Sequence, residues 1–229
     1  AEGAPEGLVI LANQQTRGRG RLGREFYSPP DTGVYMSILL RPRELRPMRA
    51  VHITTMAAVA ACAAISEQTQ KAPQIKWVND ILLGGKKVCG ILTEGSFNLE
   101  TGQLEDVVLG VGFNVYPPAG GFPAELADTA DSILFEQTDE GKNRLAASFL
   151  NHFFRIYRSG DTADYVRAYR EKSMVIGKTV RIITPGGERT AHVLDIDRDC
   201  RLVVRYEDGS IEQLSSAQIS ICADADTHI

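Results

Sequence analysis

The sequence predicts an α+β protein in two parts: a larger helix-and-sheet domain, then a small antiparallel β-barrel. Two patterns carry that expectation. Through residue 172, apolar runs of strand length alternate with three helical stretches. From Gly177 the pattern switches to short strands separated by tight turns, as in a small barrel. The boundary is expected near Ser173 to Gly177, giving a first domain over 1–175, a barrel over 176–223 and a frayed tail over 224–229.

The continuous apolar run Leu8 to Ala12 reads as a buried strand, and Gly33 to Leu40 as a second. Pro42 and Pro47 punctuate the connection to an alanine-rich helix over Met48 to Gln70, long enough to cross one face of a sheet. Ile75 to Leu83 and Lys87 to Glu94 read as two strands, with Gly84-Gly85-Lys86 as the hairpin between them. Val107 to Val115 is a further strand, followed by a Pro/Gly-rich loop from Pro117 to Pro123; Asp131-Ser132-Ile133 suits the cap of a short element. Asn143 to Tyr157 and Asp161 to Lys172 read as helices, the first with Leu145, Phe149, Phe153 and Ile156 on one stripe. The barrel strands are expected at Thr179 to Ile183, Thr190 to Ile196, Leu202 to Tyr206 and Ile211 to Leu214. Their turns are Pro185-Gly186-Gly187, Asp197-Arg198-Asp199 and Asp208-Gly209.

Composition narrows the function classes. A hydrophobic share of 43% and a charged share of 24% are ordinary globular values. A net charge of -4 and a pI near 5.6 argue against a dedicated DNA or RNA binder. The four cysteines, Cys62, Cys89, Cys200 and Cys222, have neither zinc-site nor disulfide-framework spacing, so reduced thiols are expected. The most apolar stretch, Met56 to Ile65, is too short to span a bilayer, and Ala1 to Gly7 lacks the features of a signal peptide. A cytoplasmic protein with no membrane partner is expected.

Against this mildly acidic background stands one concentrated positive feature: four arginines and three glycines in the eight residues Arg17-Gly18-Arg19-Gly20-Arg21-Leu22-Gly23-Arg24. Guanidinium forks suit phosphate or carboxylate, and glycine lets backbone N–H groups approach a ligand. Three explanations stand: an RGG-like nucleic-acid segment, a solvated loop, and an anion clamp. Placement between two apolar strands favours the clamp, with charge repulsion leaving the loop mobile until an anion arrives. It is neither a Walker loop nor a dinucleotide-binding turn. Lys76-Trp77-Val78-Asn79-Asp80 places a cation, an amide and a carboxylate around the chain's only tryptophan. Gly90, Gly110 and Gly112 within strands suggest close approach of a ligand or backbone, or equally sheet twist or a bulge. His52, His152, His192 and His228 lack metal-ligand spacing and are assigned no role.

Taken together these segments resemble the biotin protein ligases. The family signatures Q-x-x-G-R-G-R-x-G-R-x-W-x-S-P, K-W-P-N-D, K-x-x-G-I-L-x-E and G-x-G-x-N correspond to Gln15–Pro29, Lys76–Asp80, Lys87–Glu94 and Gly110–Asn114. The resemblance implies a catalytic domain like that of class II aminoacyl-tRNA synthetases, followed by an SH3-like barrel. It implies ATP and Mg2+ as co-substrate and metal, biotin as substrate, and a biotin carboxyl carrier domain as partner. Biotinyl-5′-AMP forms first, and a carrier lysine then receives the biotin.

By position in the motifs, Lys87 and Arg21 would be catalytic, Lys87 bridging the biotin carboxylate and the α-phosphate. Gln15, Gly18, Arg19, Gly20, Arg21, Lys87, Gly90 and Leu92 would contact biotin. Arg24, Phe26, Asn79, Asp80 and Asn114 would serve the nucleotide, with Asp80 also on the metal.

The chain departs from the family pattern at several points. Phe26 stands for the usual Trp, Val78 for Pro and Cys89 for Ala, while Ser216-Ala217-Gln218 stands where a Ser/Gly-Gly-Glu turn is expected. The Ser/Thr-rich segment that holds the biotin head in the family finds no match before Gln15. The family's first strand and helix are therefore expected to be absent from these residues. No winged helix is seen, so a DNA partner is not expected. Lipoate or octanoate transfer and non-catalytic ligand binding are the alternative readings. A homodimer stays open, because no residue here chooses whether a strand edge pairs with a second copy or with the carrier.

Overall fold

The computed structural model describes residues 3–42, 50–97, 104–138, 140–184, 187–215 and 220–223. Six antiparallel strands form the first sheet: β1 (Val9–Ala12), β2 (Gly33–Leu40), β3 (Gln74–Lys76), β4 (Asp80–Leu83), β5 (Lys86–Phe97) and β6 (Leu104–Asn114). Their spatial order is β1-β2-β6-β5-β4-β3. The strand expected to be buried at Leu8 to Ala12 is instead the edge strand β1, with Ile10 and Leu11 exposed, because an apolar run does not tell an edge from a central strand. The long central strands β2, β6 and β5 alternate glycine or polar residues on one face with Ile38, Leu109, Val111, Phe113 and Ile91 in the core.

The core face is covered by α1 (Ala50–Thr69), which packs on β3, β4 and β5 and is flanked by α2 (Gly141–Ser159) and α3 (Thr162–Glu171). Ala57, Ala58, Ala60, Ala61 and Ala64 are buried, and their small side chains let α1 be covered on all sides. On α2, Leu145, Phe149 and Phe153 form the buried stripe, with Phe149 stacked on Phe153 and edge-on to Phe113. Such side chains each contribute roughly 1.5–3 kcal/mol on burial. Asp161 caps α3 by accepting from the amides of Ala163 and Asp164.

One expected strand is instead a hairpin. Ile75 to Leu83 divides into β3 and β4, which pair antiparallel with Lys76 opposite Asp80, and the chain reverses through Trp77, Val78 and Asn79. The apolar residues at this reversal suggested strand because Trp77 and Val78 are buried, but they are buried as a turn beneath the second domain. The next hairpin is as expected, with Gly84 and Gly85 both at positive φ. Asp131 to Ile133 caps no helix: the segment runs beside β5, where Lys87 bridges to Ala130.

The second sheet holds β7 (Thr179–Thr184), β8 (Gly187–Ile196), β9 (Leu202–Tyr206), β10 (Ile211–Leu214) and β11 (Ser220–Ala223). All are antiparallel in the order β10-β9-β8-β7-β11, and β11 was not anticipated. Val180, Val193, Leu202 and Val204 fill its interior. Residues 185 and 186 of one expected turn, Ser216-Ala217-Gln218, the tail 224–229 and the start of the first helix at Met48 lie outside the described residues. Cys62, Cys89 and Cys200 are free and buried. No helix among the described residues is long and apolar enough to cross a membrane.

Candidate active site

The floor of the cleft is a row across the sheet. Asp80 on β4 pairs with Gly90 on β5, Gly90 with Gly112 on β6, and Gly112 with Tyr35 on β2. Cross-strand partners share a face, so two adjacent positions on the cleft side carry no side chain. Phe26 uses that space. A Cβ on Gly112 would lie 2.5 Å from Cε1 of Phe26, and one on Gly90 would lie 2.9 Å from Cε2. Tyr35 meets the Phe26 ring edge-on, with ring centroids 6.4 Å apart.

Lys87 reaches this face through a bulge. The register between β4 and β5 shifts after Ile81–Cys89, so Leu82 pairs with Lys87 and Val88 is left over. Without that extra residue Lys87 would point to the core side, because side chains alternate along a strand. Its Nζ instead lies 2.7 Å from Oδ1 of Asp80 and 5.6 Å from the Phe26 ring centroid. The Asn79 amide donates to Oδ1 of Asp80 at 3.2 Å and to the carbonyl of Ile91 at 2.9 Å.

The Arg/Gly loop closes over the floor as a laddered excursion between β1 and β2. Phe26 N donates to Gly18 O at 2.9 Å, Gly20 N to Arg24 O at 2.7 Å, and Gln15 N to Ser28 O at 3.1 Å. Ser28 Oγ donates toward Oε1 of Gln15, 2.8 Å away. Gly18 is needed for this closure: a Cβ there would lie 2.2 Å from the Phe26 carbonyl oxygen. At the tip Arg21 to Gly23 form a single 3-10 turn, with Leu22 in the left-handed region at φ 56°.

Two of the four arginines of the loop have partners across the cleft that offset their mutual repulsion. Arg19 makes an ion pair of 2.9 Å with Glu94, and Arg21 donates to Oδ1 of Asn79 at 3.2 Å. Partial burial pulls the Arg21 pKa below its ordinary value, with Asp80 opposing that shift. Six cations, Arg17, Arg19, Arg21, Arg24, Lys76 and Lys87, border the cleft against three carboxylates, Glu25, Asp80 and Glu94. In an acidic protein this is a focus for anions.

Of the residues singled out from the sequence, Gln15, Arg19, Gly20, Arg21, Arg24 and Phe26 line the cleft from the loop. Asn79, Asp80, Lys87, Gly90 and Leu92 line it from the sheet. Gly18 sits behind the loop, acting through its backbone. Asn114 lies apart: it is buried, and its amide donates to the carbonyls of Asp131 at 3.2 Å and Lys87 at 3.4 Å. It fixes the start of β5. Glu94, Ser37 and Lys76 also line the cleft and were assigned no role. Continuing the alternation of Gly90 and Leu92 by one more step reaches Glu94.

Residues 2–114 match the Biotin/lipoate A/B protein ligase family, and residues 175–221 the Biotin protein ligase C terminal domain. The "Bifunctional ligase/repressor BirA" of Bacillus subtilis (strain 168) is 34% identical over 225 residues, covering 95% of this chain and 67% of that protein. This chain belongs to the biotin protein ligase family. The "Biotin--[acetyl-CoA-carboxylase] ligase" of Mycobacterium tuberculosis is 31% identical over 204 residues, covering 86% of this chain and 73% of the relative. Among solved structures, the biotin protein ligase from Aquifex aeolicus in complex with biotin and ATP shares the fold, with a TM-score of 0.78 at 23% identity. That likeness spans 96% of this chain and 91% of the other. The larger domain thus has the class II aminoacyl-tRNA synthetase-like fold of biotin protein ligases, and the smaller is their C-terminal β domain.

Proposed function

We propose that this chain is an ATP-dependent biotin–[biotin carboxyl-carrier protein] ligase working at the cleft between the Arg/Gly loop and β5. In the first step the biotin carboxylate attacks the α-phosphorus of ATP. A bond from the carboxylate oxygen to the α-phosphorus forms, giving a mixed anhydride, the bond from α-phosphorus to the bridging oxygen breaks, and pyrophosphate leaves. In the second, an uncharged lysine amine of a carrier domain attacks the acyl carbon; AMP leaves and the amine sheds a proton. The observation that carries this reading is the convergence of Lys87, Arg19 and Arg21 on one glycine-floored cleft.

Two anions must meet for the first step, so the protein has to supply positive charge where it concentrates. Lys87, half-buried beside Asp80, is placed to bridge the biotin carboxylate and the α-phosphate. Arg19, Gly20 and Arg21 cover the biotinyl-adenylate, with Gln15 and Gly18 beside the biotin and Arg24 toward the phosphates. Leu92 lines the biotin side of the cleft, and Gly90 lets Lys87 and the Phe26 ring lie close to the sheet beside it. Phe26 packs its ring against Gly90 and Gly112 and is only partly buried, which suits an aromatic contact with adenine. Asn79 and Asp80 complete the nucleotide side, and Asn114 supports it from behind. The closed loop also keeps water from the mixed anhydride.

Magnesium enters with ATP in this reading. Among the described residues no group of three His, Cys, Asp or Glu side chains is placed to hold a metal. The carboxylate beside Lys87, Asp80, already receives Nζ of that residue. Magnesium bound through one carboxylate, phosphates and water needs no protein cage, so the residues suit an ion carried by the nucleotide, with Asp80 as its protein ligand. Once bound, it would neutralise charge on the phosphates.

The test is biotin-dependent pyrophosphate release from ATP, followed by transfer of label to a carrier domain. Release with lipoate or octanoate but not biotin would overturn the substrate assignment. Biotin binding by calorimetry without pyrophosphate release would make the chain a binder.

A further inference from the structure

The hairpin reversal that carries Asn79 and Asp80 is held from two sides, by α3 of its own domain and by a turn of the second. Trp77 is 4% exposed, and its Nε1 donates to the backbone carbonyl of Cys200 at 3.0 Å. Cys200 closes the turn between β8 and β9. Its N–H donates to the carbonyl of Asp197, and Arg201 pairs with the Asp197 carboxylate at 2.7 Å. From α3, the buried Tyr169 hydroxyl donates to the carbonyl of Val78 at 3.0 Å. The backbone of Ile75 is bracketed by the carbonyl of Lys172 and the amide of Met174, in the segment joining the two domains.

The chain thus alternates its attachments over a few residues. Ile75, Trp77 and Val78 are tied to α3, the joining segment and the β8–β9 turn. Asn79 and Asp80 face the cleft, where Asn79 reaches Arg21 and Ile91, and Asp80 reaches Lys87. A buried indole N–H on a carbonyl is a directional constraint, and removing it leaves the carbonyl unsatisfied. Catalysis is sensitive to displacements of about 1 Å in the groups that orient a substrate.

We propose that the small β domain is a strut for the nucleotide half of the cleft, and that Trp77 is a positioning residue that fixes Asn79 and Asp80 through its bond to Cys200. This inference rests on the proposed ligase reaction for its kinetic readout. It does not rest on that reaction for its structural one.

Trp77→Phe keeps an aromatic ring and removes the donor. In full-length protein its KM for ATP is expected to rise on the order of tenfold, the scale of one lost buried hydrogen bond, with biotin affinity by calorimetry changed less than about twofold. The backbone amide of Ile91, which donates to the carbonyl of Asn79 at 3.0 Å, should exchange hydrogen faster in the variant. Tyr169→Phe loosens the same reversal from α3 and should give the same split between ATP and biotin. Arg170→Ala breaks the ion pair between Arg170 and Asp195, which joins α3 to β8 without touching the reversal, and should change neither ligand.

Equal weakening toward biotin and ATP, or no change in either with unchanged Ile91 exchange, overturns the strut. So does an Arg170→Ala variant that reproduces the Trp77→Phe signature. If the parent protein releases no pyrophosphate, the ligase reading fails on its own, and the exchange experiment still decides whether the β8–β9 turn orders residues 75–91.

Discussion

Lys87 holds Asp80 at 2.7 Å, so the cation proposed to bring two substrates together already carries a carboxylate before either arrives. The pair keeps the ammonium group over Gly90, beside the Phe26 ring. An incoming biotin carboxylate then joins a charge that is already oriented.

Lys87→Ala removes that charge. Pyrophosphate release is expected to fall about 10²–10³-fold, as when one donor to a developing charge is deleted. Biotin binding measured by calorimetry should weaken much less. Comparable pyrophosphate release by variant and parent would reject the assignment.

Arg21→Gly should leave the fold intact and shorten retention of the intermediate. Arg21 links the loop tip to Asn79 across the cleft, and none of the residues of its 3-10 turn is buried. Loss of one charge-assisted hydrogen bond corresponds to ~1.5–3 kcal/mol, so labelled adenylate should escape at least about tenfold faster in rapid filtration. Unchanged retention would show that the loop is held shut by other contacts.

Gly18→Ala and Gly112→Ala separate the two ways glycine serves the cleft. The added methyl at Gly18 meets the backbone of Phe26 at 2.2 Å and should prevent loop closure, with loss of adenylate retention. At Gly112 it meets the Phe26 ring at 2.5 Å, and should weaken ATP more than biotin. If Phe26→Ala added to Gly112→Ala costs nothing more in ATP affinity, the effect passes through that ring. Full additivity would deny it.

The buried thiols give a pH dependence of known sign. Burial pushes Cys62 up to about 12 and Cys200 up to about 11. In the unfolded chain a thiol ionises near 8.5, so above that pH the unfolded state loses protons that the folded state keeps. Stability should therefore be complete below about pH 8.5 and fall as pH rises toward those folded values. Urea midpoints at rising alkaline pH would show this, and Cys62→Ala should flatten the trend. An identical slope in the variant would place the effect elsewhere.

Much of this was legible in the residues. The central strands declared themselves through apolar runs, and the second helix through the Leu145–Phe149–Phe153 stripe. The cleft was legible because its motifs are local: a floor glycine, a lysine and an arginine loop each stand in short segments. What stayed hidden depends on partners far along the chain. Trp77 and Val78 read as strand because burial beneath the second domain looks the same, in sequence, as burial within a sheet. The bulge at Val88 leaves no compositional mark, yet it decides which face Lys87 takes. Asn114 was assigned to the nucleotide from its place in the G-x-G-x-N motif, and the motif does not reveal that its amide donates to the carbonyls of Lys87 and Asp131.

Phe26 belongs to the loop, but its ring lies against the sheet. The glycine pair and the loop are therefore one mechanical unit: any displacement of residues 17–26 would also move the ring off Gly90 and Gly112, so cover and base of the site cannot be altered separately.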